Sequence, residues 1–276
     1  MTVLCPTSIE LACTMLVQEP NSIPLAGATD VLVHWPAHLD AHAKTYLDLS
    51  GLDDLRHISW NQEALTLGAR TTYWDVIQDE QCHQEFPLLQ HAARQVGAVQ
   101  IQSRGTWAGN IVNASPAADG VPVLMAYDAV VVLQSTAGTE EVPLNEFYMG
   151  YKQMRRRTDQ LVVAIRLPRR SYAVQVFEKV GARRAQAITK VGLAMTRSSV
   201  GWRVVASAVA PTIRRCPSVE RLLEQDAPVC SPDDLAEAFA TDTQPIDDIR
   251  STSAYRARVL ARVAFHALQS QAPGRS

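Results

Sequence analysis

Residues 104–124 read RGTWAGNIVNASPAADGVPVL, a run in which Gly, Thr, Asn, Ser and Asp crowd together before the chain turns apolar. Small polar residues of this kind serve two ends. Surface turns use them because they tolerate turn geometry, and anion-binding loops use them because backbone N–H groups must approach a ligand closely. One such run does not separate the two readings, since a Gly-rich match on its own is weak. A second small-residue turn, LAGATD at 25–30, lies far upstream.

The rest of the chain sets the frame for these loops. At 276 residues, with 47% hydrophobic and 20% charged residues, it has the length of two ordinary globular domains. A net charge of −2 gives no reason to expect nucleic acid as a partner. The opening MTVLCPTSIELACTML has no basic leader, and Pro6 and Glu10 break its apolar run. It reads as neither signal peptide nor anchor, and no apolar stretch has the length of a membrane span. Cys5, Cys13, Cys82, Cys216 and Cys230 are scattered without a Cys-x-x-Cys pair, which points to a reducing cytoplasm and to no cluster or zinc site in this chain.

Thr7 and Glu10 have capping-box spacing ahead of Ile9, Leu11, Met15 and Leu16, which suit a short amphipathic helix. Short strands are expected at SIPL, TYLDLS and ALTLGA, helices from Thr71 through YWDVIQ and FPLLQHAARQVG, and strands ending VVVLQS and at QLVVAIRLP. RLPRRSY, 166–172, reads as a domain boundary. Beyond it YAVQVFEKV, VGLAMTRS and WRVVASAVA read as strands of a second sheet, followed by helices near Ser218–Glu224 and Tyr255–Gln269. This irregular alternation favours an α+β fold over a doubly wound parallel sheet.

Several chemistries find no support. The chain has no Gly-x-Gly-x-x-Gly fingerprint, no phosphate-loop Gly-Lys-Ser/Thr and no Gly-x-Ser-x-Gly elbow. His34, His38 and His42 share the spacing of a helical metal face, but Pro36 interrupts it, so no metal site is expected there. If the two small-residue loops close on one ligand, a dinucleotide accounts for both, because backbone donors neutralise a pyrophosphate without lysine or arginine. Thr29, Thr106 and Asn110 then supply further hydrogen bonds, and Asp119 accepts from a ribityl or ribose hydroxyl.

The two loops resemble the FAD-binding motifs of the flavoprotein (medium) subunit of molybdenum hydroxylases, the xanthine dehydrogenase and carbon monoxide dehydrogenase family. That family writes them roughly A-G-G-T-D and G-T-x-G-G-N-hydrophobic-x-x-A-S-P-x-x-D. They stand here as Ala26 to Asp30 and as Gly105 to Asn110 followed by Ser115, Pro116 and Asp119. VGAVQIQSRGT, QLVVAIRLP, FEKVGARRAQAITKVGLAM and DDIRSTSAYRARVLARV continue the likeness in order along nearly the whole chain. The resemblance implies a two-part FAD-binding domain of the xanthine dehydrogenase and vanillyl-alcohol-oxidase-like type over 1–170, with subdomains of about 1–58 and 59–170, then a smaller domain of antiparallel sheet and helices over 171–276. It assigns FAD to Leu25, Ala26, Gly27, Ala28, Thr29, Asp30, Val31, Thr106, Ala108, Gly109, Asn110, Asp119, Val162 and Lys179. Ala28 and Ala108 depart from the family's frequent glycine. A positive φ at either would cost an alanine about 1 kcal/mol, so slightly altered loop geometry is expected there.

By the same resemblance the chain is an oxidoreductase subunit with no catalytic residue of its own. A large partner holding the molybdenum cofactor and a small partner holding [2Fe-2S] clusters would complete a dimer of heterotrimers, with electrons passing through FAD to an external acceptor. The alternative is a free-standing FAD-dependent oxidoreductase of the same cofactor fold, and a scaffold that has lost FAD is a third reading. Arg155–Arg157, Arg169–Arg170, Arg183–Arg184 and Arg214–Arg215 suit an acidic partner or a nicotinamide dinucleotide, and equally a solvated surface.

Overall fold

The computed structural model describes residues 2–34, 44–225 and 228–271. The first 48 residues build a parallel sheet in the order β1-β3-β2, from β1 (Thr2–Leu4), β2 (Ile23–Leu25) and β3 (Thr45–Asp48). Helix α1 (Ile9–Gln18) connects β1 to β2. Its N-cap is Ser8, whose hydroxyl accepts from Leu11 N–H, rather than the expected Thr7. The inward face therefore falls on Ala12, Cys13 and Leu16, and Leu11 remains 38% exposed. A short helix α2 (Val31–His34) follows the first loop.

The middle of the chain forms an antiparallel sheet in the order β4-β5-β10-β6-β7. Its strands are β4 (Ile58–Trp60), β5 (Ala64–Gly68), β6 (Val130–Ser135), β7 (Gly138–Pro143) and β10 (Leu161–Pro168), with a hairpin β8 (Tyr148–Gly150) and β9 (Gln153–Met154) beside it. Between β5 and β6 run α3 (Tyr73–Gln78), α4 (Glu80–Glu85), α5 (Pro87–Gln95), α6 (Val99–Gln102), α7 (Trp107–Asn113) and α8 (Gly120–Ala126). Thr72 caps α3 through a full capping box with Asp75, which explains why the helical pattern starts at that point.

The last sheet is antiparallel, in the order β11-β12-β13-β14, from β11 (Tyr172–Val180), β12 (Val191–Ser198), β13 (Gly201–Ser207) and β14 (Arg214–Arg215). One face carries Val176, Leu193, Met195 and Val204 against α9 (Pro217–Glu224), α10 (Asp233–Asp242) and α11 (Ser253–Gln271). The other carries Phe177, Ala194 and Val205 into the core of the preceding domain. Helix α8, every residue of which is buried, packs on β12 and β13, so RLPRRSY joins parts that share a core. Helix α10 was not anticipated. Only Leu235 and Phe239 are buried along it, too few to show a helical stripe in the sequence.

Candidate functional site

The two small-residue loops meet. A cleft of about 460 Å³ is lined on one side by Ile23 to Val31 and Val33, and on the other by Gly105, Thr106, Gly109, Asn110, Val112 and Asn113, with Tyr73, Val96 and Ile101 at its floor and edge. The loops are joined by a close backbone approach: a Cβ at Gly27 would lie 1.9 Å from the Arg104 carbonyl oxygen, so only glycine fits. Ala28 beside it has φ 58°, the left-handed conformation that favours glycine, whereas Ala108 sits buried inside α7 with no such demand. Altered loop geometry was expected at both positions. The backbone places the whole cost at Ala28.

The first loop is built to donate. No amide from Ala26 to Asp30 reaches an acceptor among the described residues, and neither does the Thr29 hydroxyl. Five successive loop residues lining a cleft with free amides are the donor set that an anionic diphosphate requires. Among the described residues no lysine or arginine lines the cleft.

The second wall is already satisfied within the protein. Thr106 Oγ1 caps α7 by accepting from Gly109 N–H at 3.0 Å, Trp107 N–H donates to Thr71 O, and Asn110 Oδ1 accepts from Gly120 N–H at 3.2 Å. Trp107 is fully buried, its ring 4.9 Å from that of Tyr73. Burial pushes the Tyr73 phenol well up, and the Asp119 charge adds to this, so it stays a neutral donor.

Leu25 to Val31, Thr106, Gly109 and Asn110 line the cleft, while Ala108, Asp119, Val162 and Lys179 do not. Lys179 Nζ bonds Asp119 Oδ2 at 2.7 Å and the carbonyl of Gln95, the neighbour of cleft-lining Val96, at 2.9 Å. Thr189 donates to the other Asp119 oxygen at 2.5 Å. Burial raises the Asp119 carboxyl above its ordinary range against the pull of Lys179 and then of Thr189. Val162 is buried in β10, where the register shifts between Val162 and Ala164. Reading the sequence missed Tyr73, Val96, Ile101, Val112 and Asn113. Val96 and Ile101 lie in the quoted lead-in to the second loop, but nothing in the pattern singled out Tyr73.

Residues 1–170 match the family described as FAD binding domain in molybdopterin dehydrogenase. The chain belongs to this family. A putative xanthine dehydrogenase FAD-binding subunit of Escherichia coli K12 is 30% identical over 254 residues, 89% of this chain and 85% of that protein. The glyceraldehyde dehydrogenase medium chain of Sulfolobus acidocaldarius is 30% identical over 190 residues, 68% of this chain and 67% of its own length. A solved structure of carbon monoxide dehydrogenase from Hydrogenophaga pseudoflava superposes with a TM-score of 0.91 at 25% identity, covering 98% of this chain and 96% of that one. The α+β architecture expected from the irregular alternation of strands and helices is that of this family, and its cofactor is FAD.

The free donors of the first loop fit a dinucleotide, and the apolar flank of Ile23, Val96, Ile101 and Val112 suits a flat ring system. Among the described residues, no helix is long and apolar enough to cross a membrane, and no group of His, Cys, Asp and Glu is placed to hold a metal. His38, His42 and the side chain of His34 lie outside the described residues.

Proposed function

We propose that this chain is the FAD-carrying electron-transfer subunit of a molybdenum-containing hydroxylase. On this reading a large partner with the molybdenum cofactor and a small partner with [2Fe-2S] clusters assemble with it as a dimer of heterotrimers, and electrons leave for an external acceptor. The observation that carries the reading is the first loop, whose residues line the cleft and whose amides have no acceptor among the described residues, in a chain of this family. FAD, when bound, accepts electrons singly and releases them as a pair, and the protein positions and tunes it. The amides of Ala26 to Asp30 and the Thr29 hydroxyl hold its diphosphate, while Thr106, Gly109 and Asn110 form the opposite wall. Asp119 and Lys179 meet its hydroxyl groups at the far end of the second segment, their pair aligned beforehand by Thr189 and Gln95. Ala108 and Val162 pack behind these contacts.

The test is anaerobic. The native complex is isolated through this chain, candidate N-heterocycles and aldehydes are added, and the flavin absorbance is followed, then the same is done with this chain alone. Bleaching in the complex alone is expected. Bleaching at a comparable rate in the isolated chain would overturn the relay and leave a free-standing FAD-dependent oxidoreductase.

A further inference from the structure

The hairpin β8–β9 reaches the second wall of the cleft through Lys152, and that wall in turn holds the first. Lys152, at its turn with φ 56°, sends its ammonium to the backbone carbonyl of Asn113 and, at 2.8 Å, to Asn113 Oδ1. Asn113 is the last residue of α7, so this ammonium sits at the end of the helix where carbonyls lack intrahelical partners and a cation is favoured. Tyr148 of the same hairpin donates to the carbonyl of Ile111 at 2.9 Å, a second bond to the same helix end. The Asn113 amide in turn donates to Asp30 Oδ1 at 3.0 Å, in the first loop. Asp30 and Asn113 both line the cleft.

We infer that Lys152 is a positioning residue for the cofactor: through Asn113 it ties Asp30 to the end of α7 and so fixes the separation of the two walls. The inference rests on the assignment of the cleft to FAD. Lys152 itself does not line the cleft and acts on the cofactor only through Asn113 and Asp30. The first loop needs such a tie, because its amides make no bonds among the described residues that would hold it, whereas α7 is fastened at its other end by Thr106, Trp107 and Asn110. The ammonium fixes the orientation of the Asn113 amide: with Oδ1 occupied as an acceptor, the nitrogen is the atom turned to Asp30. The relay is exposed, so its strength falls as salt screens the lysine.

The test uses the full chain loaded with FAD, in wild-type form and as K152M, K152R, N113A and the double variant K152M/N113A. The rate of FAD release is read by recovery of flavin fluorescence, alongside the melting temperature of each FAD-free protein. K152M and N113A are expected to release FAD roughly tenfold faster, the change that losing one charge-assisted hydrogen bond of modest net strength brings. The double variant should be no faster than either single one, K152R should restore most of the retention, and added salt should speed release in the wild type more than in K152M. FAD-free melting temperatures should stay close together, since the relay holds a surface loop. Release at the wild-type rate in both single variants would overturn the inference and leave the FAD assignment standing, as would additive effects in the double variant. A wild-type chain that takes up no FAD would overturn both.

Discussion

The two walls of the cleft are opposites. The second, from Thr106 to Asp119, is welded into the core: its helix is capped, Trp107 is fully buried, and Asp119 is bonded to Lys179 and Thr189 across the sheet that follows. The first, from Leu25 to Val31, is anchored at Leu25 by the pairing of β2 with β3, leaves the amides of Ala26 to Asp30 without an acceptor among the described residues, and meets the second segment at Gly27, where it abuts Arg104, and at Asp30, where Asn113 holds it. Such a site has one wall held by bonds within the protein and one whose backbone donors are left for a ligand. It also divides the consequences of mutation: damage to the second wall should cost stability as well as cofactor, damage to the first mainly cofactor.

Asp119→Ala should produce the largest effect. It leaves the Lys179 ammonium, only 6% exposed, without its anionic partner, and breaking a buried pair costs roughly 3–5 kcal/mol. Urea unfolding of the FAD-free protein should show this loss, and an unchanged midpoint would break the claim that this wall is structural. Gly27→Ala comes next, with the opposite signature. Its Cβ cannot coexist with the Arg104 carbonyl, so the loop must move. Forcing such an overlap costs about 1–3 kcal/mol, expected mainly as weaker FAD binding in a titration, with the second wall's packing intact.

Ala28→Gly sharpens the contrast further. It relieves a left-handed alanine but adds freedom to the unfolded chain, so thermal unfolding should show a gain below about 1 kcal/mol. The smallest effect belongs to a control remote from the cleft. Arg169 holds Glu85 through paired bonds of 2.7 Å and keeps its carboxyl below the usual range, with a lesser contribution from Gln81. A depressed carboxyl stabilises the fold above its unfolded value of 4.5 and loses that contribution as pH falls through the lower folded value. Glu85→Gln should flatten the acid limb of the stability profile slightly and leave FAD binding untouched.

Much of the fold and half of the cleft are legible in the amino-acid sequence. The two loops stand out by composition, and β11, β12 and most of β13 lie where the pattern puts them, whereas the two-residue β14 is too short to leave a signal. What the sequence hides is pairwise and long-range. That Gly27 is required by a carbonyl of Arg104, that Lys179 stands within reach of Asp119, and that Lys152 reaches Asn113 depend on contacts between distant segments, which no local spacing encodes. The start of α1 slips for a different reason: Thr7 and Ser8 are both good caps, and the choice between them rotates the helix by one residue, trading Leu11 for Ala12 and Cys13 as inward positions.

Amide hydrogen exchange on the full chain, with and without saturating FAD, tests the central claim most directly, since it needs no substitution. Without FAD the amides of Ala26 to Asp30 have no acceptor among the described residues and should exchange freely, while those of Gly109 and Asn110, bonded within α7, are protected. On saturation the account predicts that the first loop's amides become protected and that those of Gly109 and Asn110 change little. FAD bound at full stoichiometry with the exchange of residues 26–30 unaltered would contradict it.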